Sequence, residues 1–122
     1  MTQSLEDYLE AIYLLCMEKS FTRIRDVSDK LLVSKPSVVQ AIKELKGKKY
    51  LNQEKYGYIE LTEEGEKKAK EILKKHTVLK DFFIKVLGVS EDVAEKDACK
   101  VEHILSEETF SKIKLFISKK GR

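Results

Sequence analysis

The chain has 122 residues, with 24 Lys and Arg against 21 Asp and Glu, five Gly and one Pro. That length fits one domain, or two small ones sharing an element. Charged residues make up 37% and hydrophobic ones 42%, too apolar for a disordered chain, and no apolar run approaches the roughly 20 residues that span a bilayer. Met1–Asp7 lacks the basic start and apolar stretch of an export signal. The two cysteines, Cys16 and Cys99, are too few for a disulfide framework and are expected to be reduced thiols in the cytoplasm. No glycine-rich phosphate loop, Gly-x-Ser-x-Gly or Cys-x-x-Cys is found. Scarce Gly and Pro beside many Lys, Glu, Leu and Ile predict a mostly α fold.

In chain order, Leu5, Leu9, Ile12 and Cys16 follow helical spacing and predict a helix over about 4–19, with Ser4 as N-cap and Asp7 in a capping-box position. Cys16 falls in that helix's apolar stripe and is expected in the core. After a break at Ser20-Phe21-Thr22, Ile24, Val27 and Leu31 mark a second, shorter helix. Ser34 then caps a third over about 35–47, where Pro36 sits in the first turn, which tolerates a missing N–H. From Tyr50 the period becomes two, and Leu51–Lys55 and Tyr58–Leu61 predict strands joined near Tyr56-Gly57. Thr62 caps a long helix through Ile72, His76, Leu79 and Phe83 that ends at Gly88. Ser90 caps a fifth helix with Ala94, Ala98, Val101 and Leu105 on one face, and Phe110, Ile113 and Ile117 mark a last amphipathic helix.

The near-neutral total hides an uneven distribution. Residues 1–18 carry four acids and no base; residues 19–61 carry ten bases and five acids. Helix, short helix, tight break, helix and hairpin is the order of a winged helix-turn-helix, whose third helix enters a major groove. Val38, Ala41, Ile42 and Leu45 face inward on the helical wheel, so Pro36, Ser37, Gln40 and Lys43 face outward. Gln40 can pair with adenine, and Ser34 and Ser37 can reach a base edge or a phosphate. Arg23, Arg25, Lys35, Lys43 and Lys46 can neutralise phosphates, with the wing tip Lys55-Tyr56-Gly57-Tyr58 along the backbone. Ordinary solvated lysines on a surface helix are the competing reading.

The second half carries metal-ligand chemistry. Cys99, Glu102 and His103 stand at i, i+3 and i+4 on the fifth helix and project from one side. Thiolate, carboxylate and imidazole suit a divalent transition metal. His76 lies on the apolar side of helix four, and Asp7 and Glu10 are one turn apart on helix one. Taken singly, each has a plainer reading: a core histidine, a helix-start acid, a solvated acid, a small buried thiol.

Together these residues resemble the diphtheria-toxin-repressor and manganese-transport-regulator family of metal-dependent repressors, in its short, two-domain form. Ser34–Leu45 looks like that family's recognition helix, Glu54–Gly57 like its wing, Leu61–Gly65 like the start of its linking helix, and Glu102-His103-Ile104-Leu105-Ser106 is the most specific match. The resemblance implies a winged helix-turn-helix DNA-binding domain over 1–62 and a helical metal-binding and dimerisation domain over 63–122, joined through a helix over 63–88. It implies metal ligands at Asp7, Glu10, His76, Cys99, Glu102 and His103. It also implies a homodimer formed through the C-terminal helices, double-stranded operator DNA as partner, and repression of metal-uptake genes, with no membrane and no small organic substrate. Cys99 stands where the manganese branch has a carboxylate, and Asp7 where the iron branch has a Met. Lys80 and Glu95 replace ancillary ligands of the iron branch, so that site is not expected. Mn(II) or Fe(II) is the expected cofactor, with Co(II), Ni(II) or Zn(II) compatible with the donor set. A metal-independent winged-helix regulator that only dimerises through its last helices is the alternative.

Overall fold

A computed structural model describes residues 1–54 and 57–120. Its elements are α1 (Gln3–Lys19), α2 (Ile24–Leu31), α3 (Lys35–Gly47), β1 (Leu51–Gln53), β2 (Ile59–Leu61), α4 (Glu63–Lys85), α5 (Glu91–Val101) and α6 (Glu107–Lys120). The chain divides into two compact units, Met1–Lys70 and the remainder from Glu71 onward. Among the described residues no helix is long and apolar enough to cross a membrane.

The first unit is a winged helix. Leu9, Ile12, Val27, Val38, Leu45, Leu51 and Ile59 are fully or almost fully buried, and each such aliphatic side chain contributes about 1.5–3 kcal/mol by leaving water. The N-cap of α1 lies two residues earlier than its sequence suggests. Thr2, not Ser4, is the N-cap, and its Oγ1 accepts the Leu5 N–H at 3.1 Å. Asp7 therefore lies beyond the first turn, outside any capping box. Ser34 caps α3 as expected, accepting the Ser37 N–H, with Pro36 in the first turn.

β1 and β2 pair antiparallel with Leu51 opposite Leu61 and Gln53 opposite Ile59, so both strands are shorter than their period-two pattern. The break after α1 also does more than turn. Thr22 bridges to Ile59 through two backbone hydrogen bonds, at 3.0 and 2.8 Å, and so adds a third edge to the hairpin. Cys16, placed in the core by pattern, is only half-buried, with its thiol 3.8 Å from the Ile59 carbonyl. The start of α4 is fixed against the end of α3. Thr62 Oγ1 donates to the Lys49 carbonyl and accepts the Gly65 N–H, while the Thr62 N–H donates to the Tyr50 carbonyl. A Cβ at Gly65 would overlap that Tyr50 carbonyl, so the close approach requires glycine.

In the second unit, Leu79, Ala98 and Phe110 form the buried centre, with Val78, Phe83, Val101, Leu105 and Ile113 packed on it. Helix α4 ends at Lys85, three residues before the predicted stop. Gly88, at φ 72°, then closes the end by donating to the Ile84 carbonyl. Ser90 caps α5 through the Val93 N–H. Helix α5 ends at Val101, so Glu102 is its C-cap and His103 lies in the following turn rather than on the helix. The Glu102 N–H still donates to the Ala98 carbonyl at 3.0 Å, which keeps the side chain near its helical position.

Candidate functional site

The DNA-facing candidates lie on the first unit. Ser34, Lys35, Pro36, Ser37, Gln40, Lys43 and Lys46 are exposed along one side of α3, and Arg23 and Arg25 are exposed at the start of α2. The opposite side of α3 buries Val38, Ala41, Ile42 and Leu45. This division lets the helix present polar groups to a groove without disturbing its packing. Gln40 Nε2 reaches Glu44 Oε1 at 3.5 Å, a contact weak enough to exchange for a base edge. Arg23 is held more firmly: its Nη2 donates to the Tyr58 hydroxyl at 2.7 Å, and its guanidinium lies 4.6 Å from that ring's centroid. Tyr58 in turn packs on Phe21 at 4.5 Å. Tyr58, expected only as the end of the wing tip, also holds Arg23, which the pairing of Thr22 with Ile59 brings beside it. Lys55 and Tyr56 lie outside the described residues.

The candidate metal ligands divide between the units. Asp7 and Glu10 are half-buried on α1 of the first unit, not solvated as their place on the wheel suggests. His76, Cys99, Glu102 and His103 belong to the second. There, Glu102 and His103 have side chains 1% exposed and His76 one 10% exposed. Glu102 Oε2 lies 3.6 Å from His76 Nδ1, and Glu102 Oε1 lies 3.4 Å from His103 Nε2. Neither Glu102 oxygen, nor His76 Nδ1, makes a hydrogen bond among the described residues. Burial of a carboxylate without hydrogen bonds is costly. A cation between these groups would offset that cost, and the donor set of carboxylate and imidazoles suits a divalent transition metal.

The other face of His76 is occupied differently. Its Nε2 lies 3.0 and 2.9 Å from the two Glu95 oxygens, and Lys80 Nζ lies 3.1 Å from Glu95 Oε2 and 3.7 Å from Glu91 Oε1. His76, Glu95 and Cys99 each place a ligand atom within 4.8 Å of the others. Glu95, which the resemblance gives only as a replacement for an ancillary ligand, thus joins the cluster. Its position one turn before Cys99, on the α5 face that packs toward α4, is the signal that could have found it.

Electrostatics follow this geometry. Glu102, joined by Glu95, pushes the His76 pKa up to about 9 against the opposing effect of burial. His76 and then Lys80 hold the Glu95 carboxyl below the usual range, and Glu95 raises Lys80. The cluster therefore favours positive charge at its centre, whether carried by a proton or by a metal ion. Cys99 is exposed.

Comparison with known proteins agrees with both units. Residues 1–59 match the family described as "Iron dependent repressor, N-terminal DNA binding domain", and residues 62–120 match "Iron dependent repressor, metal binding and dimerisation domain". The chain belongs to the iron dependent repressor family. Members of this family are transcriptional repressors, not enzymes. An uncharacterised HTH-type transcriptional regulator of Methanocaldococcus jannaschii is 44% identical over 120 residues, covering 98% of this chain and 96% of that protein. The HTH-type transcriptional regulator MntR of Bacillus subtilis is 36% identical over 112 residues, covering 92% of this chain and 78% of MntR. The manganese regulator SloR matches with a TM-score of 0.82 at 26% identity over 97% of this chain. The chain spans about half the length of that solved relative, 55%.

Proposed function

We propose that this family member is a divalent-metal-dependent repressor that acts in the cytoplasm. In this reading it binds operator DNA as a metal-loaded homodimer and controls metal-uptake genes in response to Mn(II) or Fe(II). The observation that carries it is the nearly fully buried Glu102 carboxylate, whose oxygens and the facing His76 Nδ1 make no hydrogen bond among the described residues. Such an arrangement is expensive for a purely structural core and suited to a cation.

His76, Glu102 and His103 are the central ligands, with Cys99 at the exposed edge. The metal supplies positive charge and a rigid coordination shell. The protein's own residues hold the donor atoms, exclude water around Glu102 and present α3 to DNA. For metal to act as a switch, it must bind the DNA-competent state more tightly than the alternative state. Dimerisation has a surface to use: Val93, Ile104, Leu115 and Phe116 of the second unit are 48%, 77%, 55% and 42% exposed, an apolar excess that a second copy would cover.

The test is the thermal midpoint of the metal-stripped chain with added Mn(II) or Fe(II), beside its mass in solution. The expected result is a rise in the midpoint that chelator reverses, with a dimer as the metal-loaded species. No midpoint change with any divalent ion would favour the metal-independent regulator.

A further inference from the structure

Thr22 and Ile59 exchange both backbone hydrogen bonds across the bridge that joins the break after α1 to β2, and both side chains are buried. The next residues along, Arg23 and Tyr58, are then a non-hydrogen-bonded antiparallel pair on the outer side, the kind whose side chains stand closest. Phe21 lies diagonally across, its ring centroid 4.5 Å from that of Tyr58. Arg23 Nη2 donates to the Tyr58 hydroxyl at 2.7 Å, and the guanidinium carbon lies 4.6 Å from the tyrosine centroid. Phe21 thus braces the tyrosine, and the tyrosine holds the arginine. Among the described residues no carboxylate pairs with Arg23. A guanidinium has five N–H donors in a planar fork, and this contact uses one of them. The side chain is fixed by a neutral partner, so its charge and its other donors are left for an anion.

Resting on the repressor reading above, we infer that Arg23 and Tyr58 form one phosphate site shared by the start of α2 and the wing. Arg23 takes a single backbone phosphate of the operator through two parallel N–H···O bonds, and Tyr58 is its positioning residue. The planar fork matches phosphate oxygens in that mode. A loose arginine would lose rotamer freedom on reaching the phosphate, whereas one pinned by Tyr58 has lost it already on folding. A carboxylate in place of the phenol would pin the arginine equally well but cancel the charge that drives counterion release. Among the described residues no hydrogen bond or ion pair holds Lys35, Lys43 or Lys46 in this way. Those lysines add affinity wherever the strand runs, while Arg23 fixes where it runs. Because the site is built across the Thr22–Ile59 bridge, the same phosphate also sets the placement of the wing.

The experiment uses the full Mn(II)-loaded chain and a duplex it selects from a random pool, with affinity followed across a series of salt concentrations. Arg23→Ala should weaken binding by roughly 10–100-fold and lower the slope of log affinity against log salt by about one. Tyr58→Phe keeps the ring against Phe21 and removes only the hydroxyl. It should weaken binding by about 2–10-fold with the slope unchanged, because the charge remains. Placed on Arg23→Ala, the same change should cost less than about twofold, since the coupling partner is gone. Arg23→Lys should keep the slope and lose the response to Tyr58→Phe. Replacing single phosphates by neutral methylphosphonates should reveal one linkage in each half-site that matters to the unmodified chain and not to Arg23→Ala. An unchanged slope in a folded Arg23→Ala, an equal cost of Tyr58→Phe in both backgrounds, or the absence of such a linkage would each overturn the inference while leaving operator binding intact. Absence of salt-sensitive duplex binding by the unmodified chain would instead defeat the repressor reading, and the inference with it.

Discussion

In the first unit the residues proposed to contact DNA stand on the outside of α3, and every buried side chain of that helix is apolar. In the second unit the proposed ligands His76, Glu102 and His103 are inside, while Ile104 and Leu115 are left outside. The difference reflects the partner each unit meets. Phosphates and base edges are reached from solvent, so lysines and Gln40 stay hydrated until DNA arrives and cost the fold little. A metal ion is held by groups that have already lost water, so the second unit keeps polar groups in its core, which costs stability without the ion.

That contrast can be broken at its strongest point first. Glu102→Ala and His103→Ala should each weaken Mn(II) binding by more than the roughly 10–100-fold that loss of an outer-shell partner costs, while the helical circular dichroism is unchanged. Titration calorimetry checks this, and retained affinity in both variants would remove the ligands from the second unit's core. In the first unit the largest effect is expected from packing. Gly65→Ala brings a Cβ onto the Tyr50 carbonyl and should destabilise that unit by about 1–3 kcal/mol, the usual penalty of overpacking, read as a lower denaturation midpoint.

Smaller effects sharpen the reading of the DNA face. Gln40→Ala should cut discrimination between operator and mismatched duplex by about 1–3 kcal/mol. Lys43→Ala should weaken all duplexes similarly and lower the salt slope by about one. An unaltered operator preference in Gln40→Ala would place base reading elsewhere. The smallest effect separates the two thiols. Burial, aided by Glu60, pushes the Cys16 thiol up to about 11, and Cys99 is exposed. Because the thiolate is the reactive form, alkylation at pH 8 should modify Cys99 well before Cys16, and Mn(II) should slow only the Cys99 reaction. Equal rates with and without metal would remove Cys99 from the ligand set.

The two units were also unequally legible from sequence. The exposed face of α3, its Ser34 cap and Pro36 were readable because helical periodicity alone separates inside from outside. Gly65 was visible as part of a motif, but its reason, the Tyr50 carbonyl fifteen residues earlier in the turn after α3, is a tertiary contact. Thr2 displaced Ser4 as cap because neighbouring hydroxyls compete for the same N–H groups and sequence pattern does not rank them. In the second unit Cys99, Glu102 and His103 were found by spacing, yet Glu102 and His103 fall in the turn after α5, where periodicity says little about burial. Glu95 was passed over because its meaning depends on His76 and Lys80, which come from another helix.

The central claim is that metal switches DNA binding. The direct measurement is fluorescence anisotropy of a labelled duplex, selected from a random pool with the Mn(II)-loaded chain, titrated with the protein in Mn(II) and in chelator. The account predicts tight, salt-sensitive binding with metal and a loss of at least about 100-fold in chelator, the upper end of ordinary coupling between two sites. Equal affinity in the two conditions would contradict it.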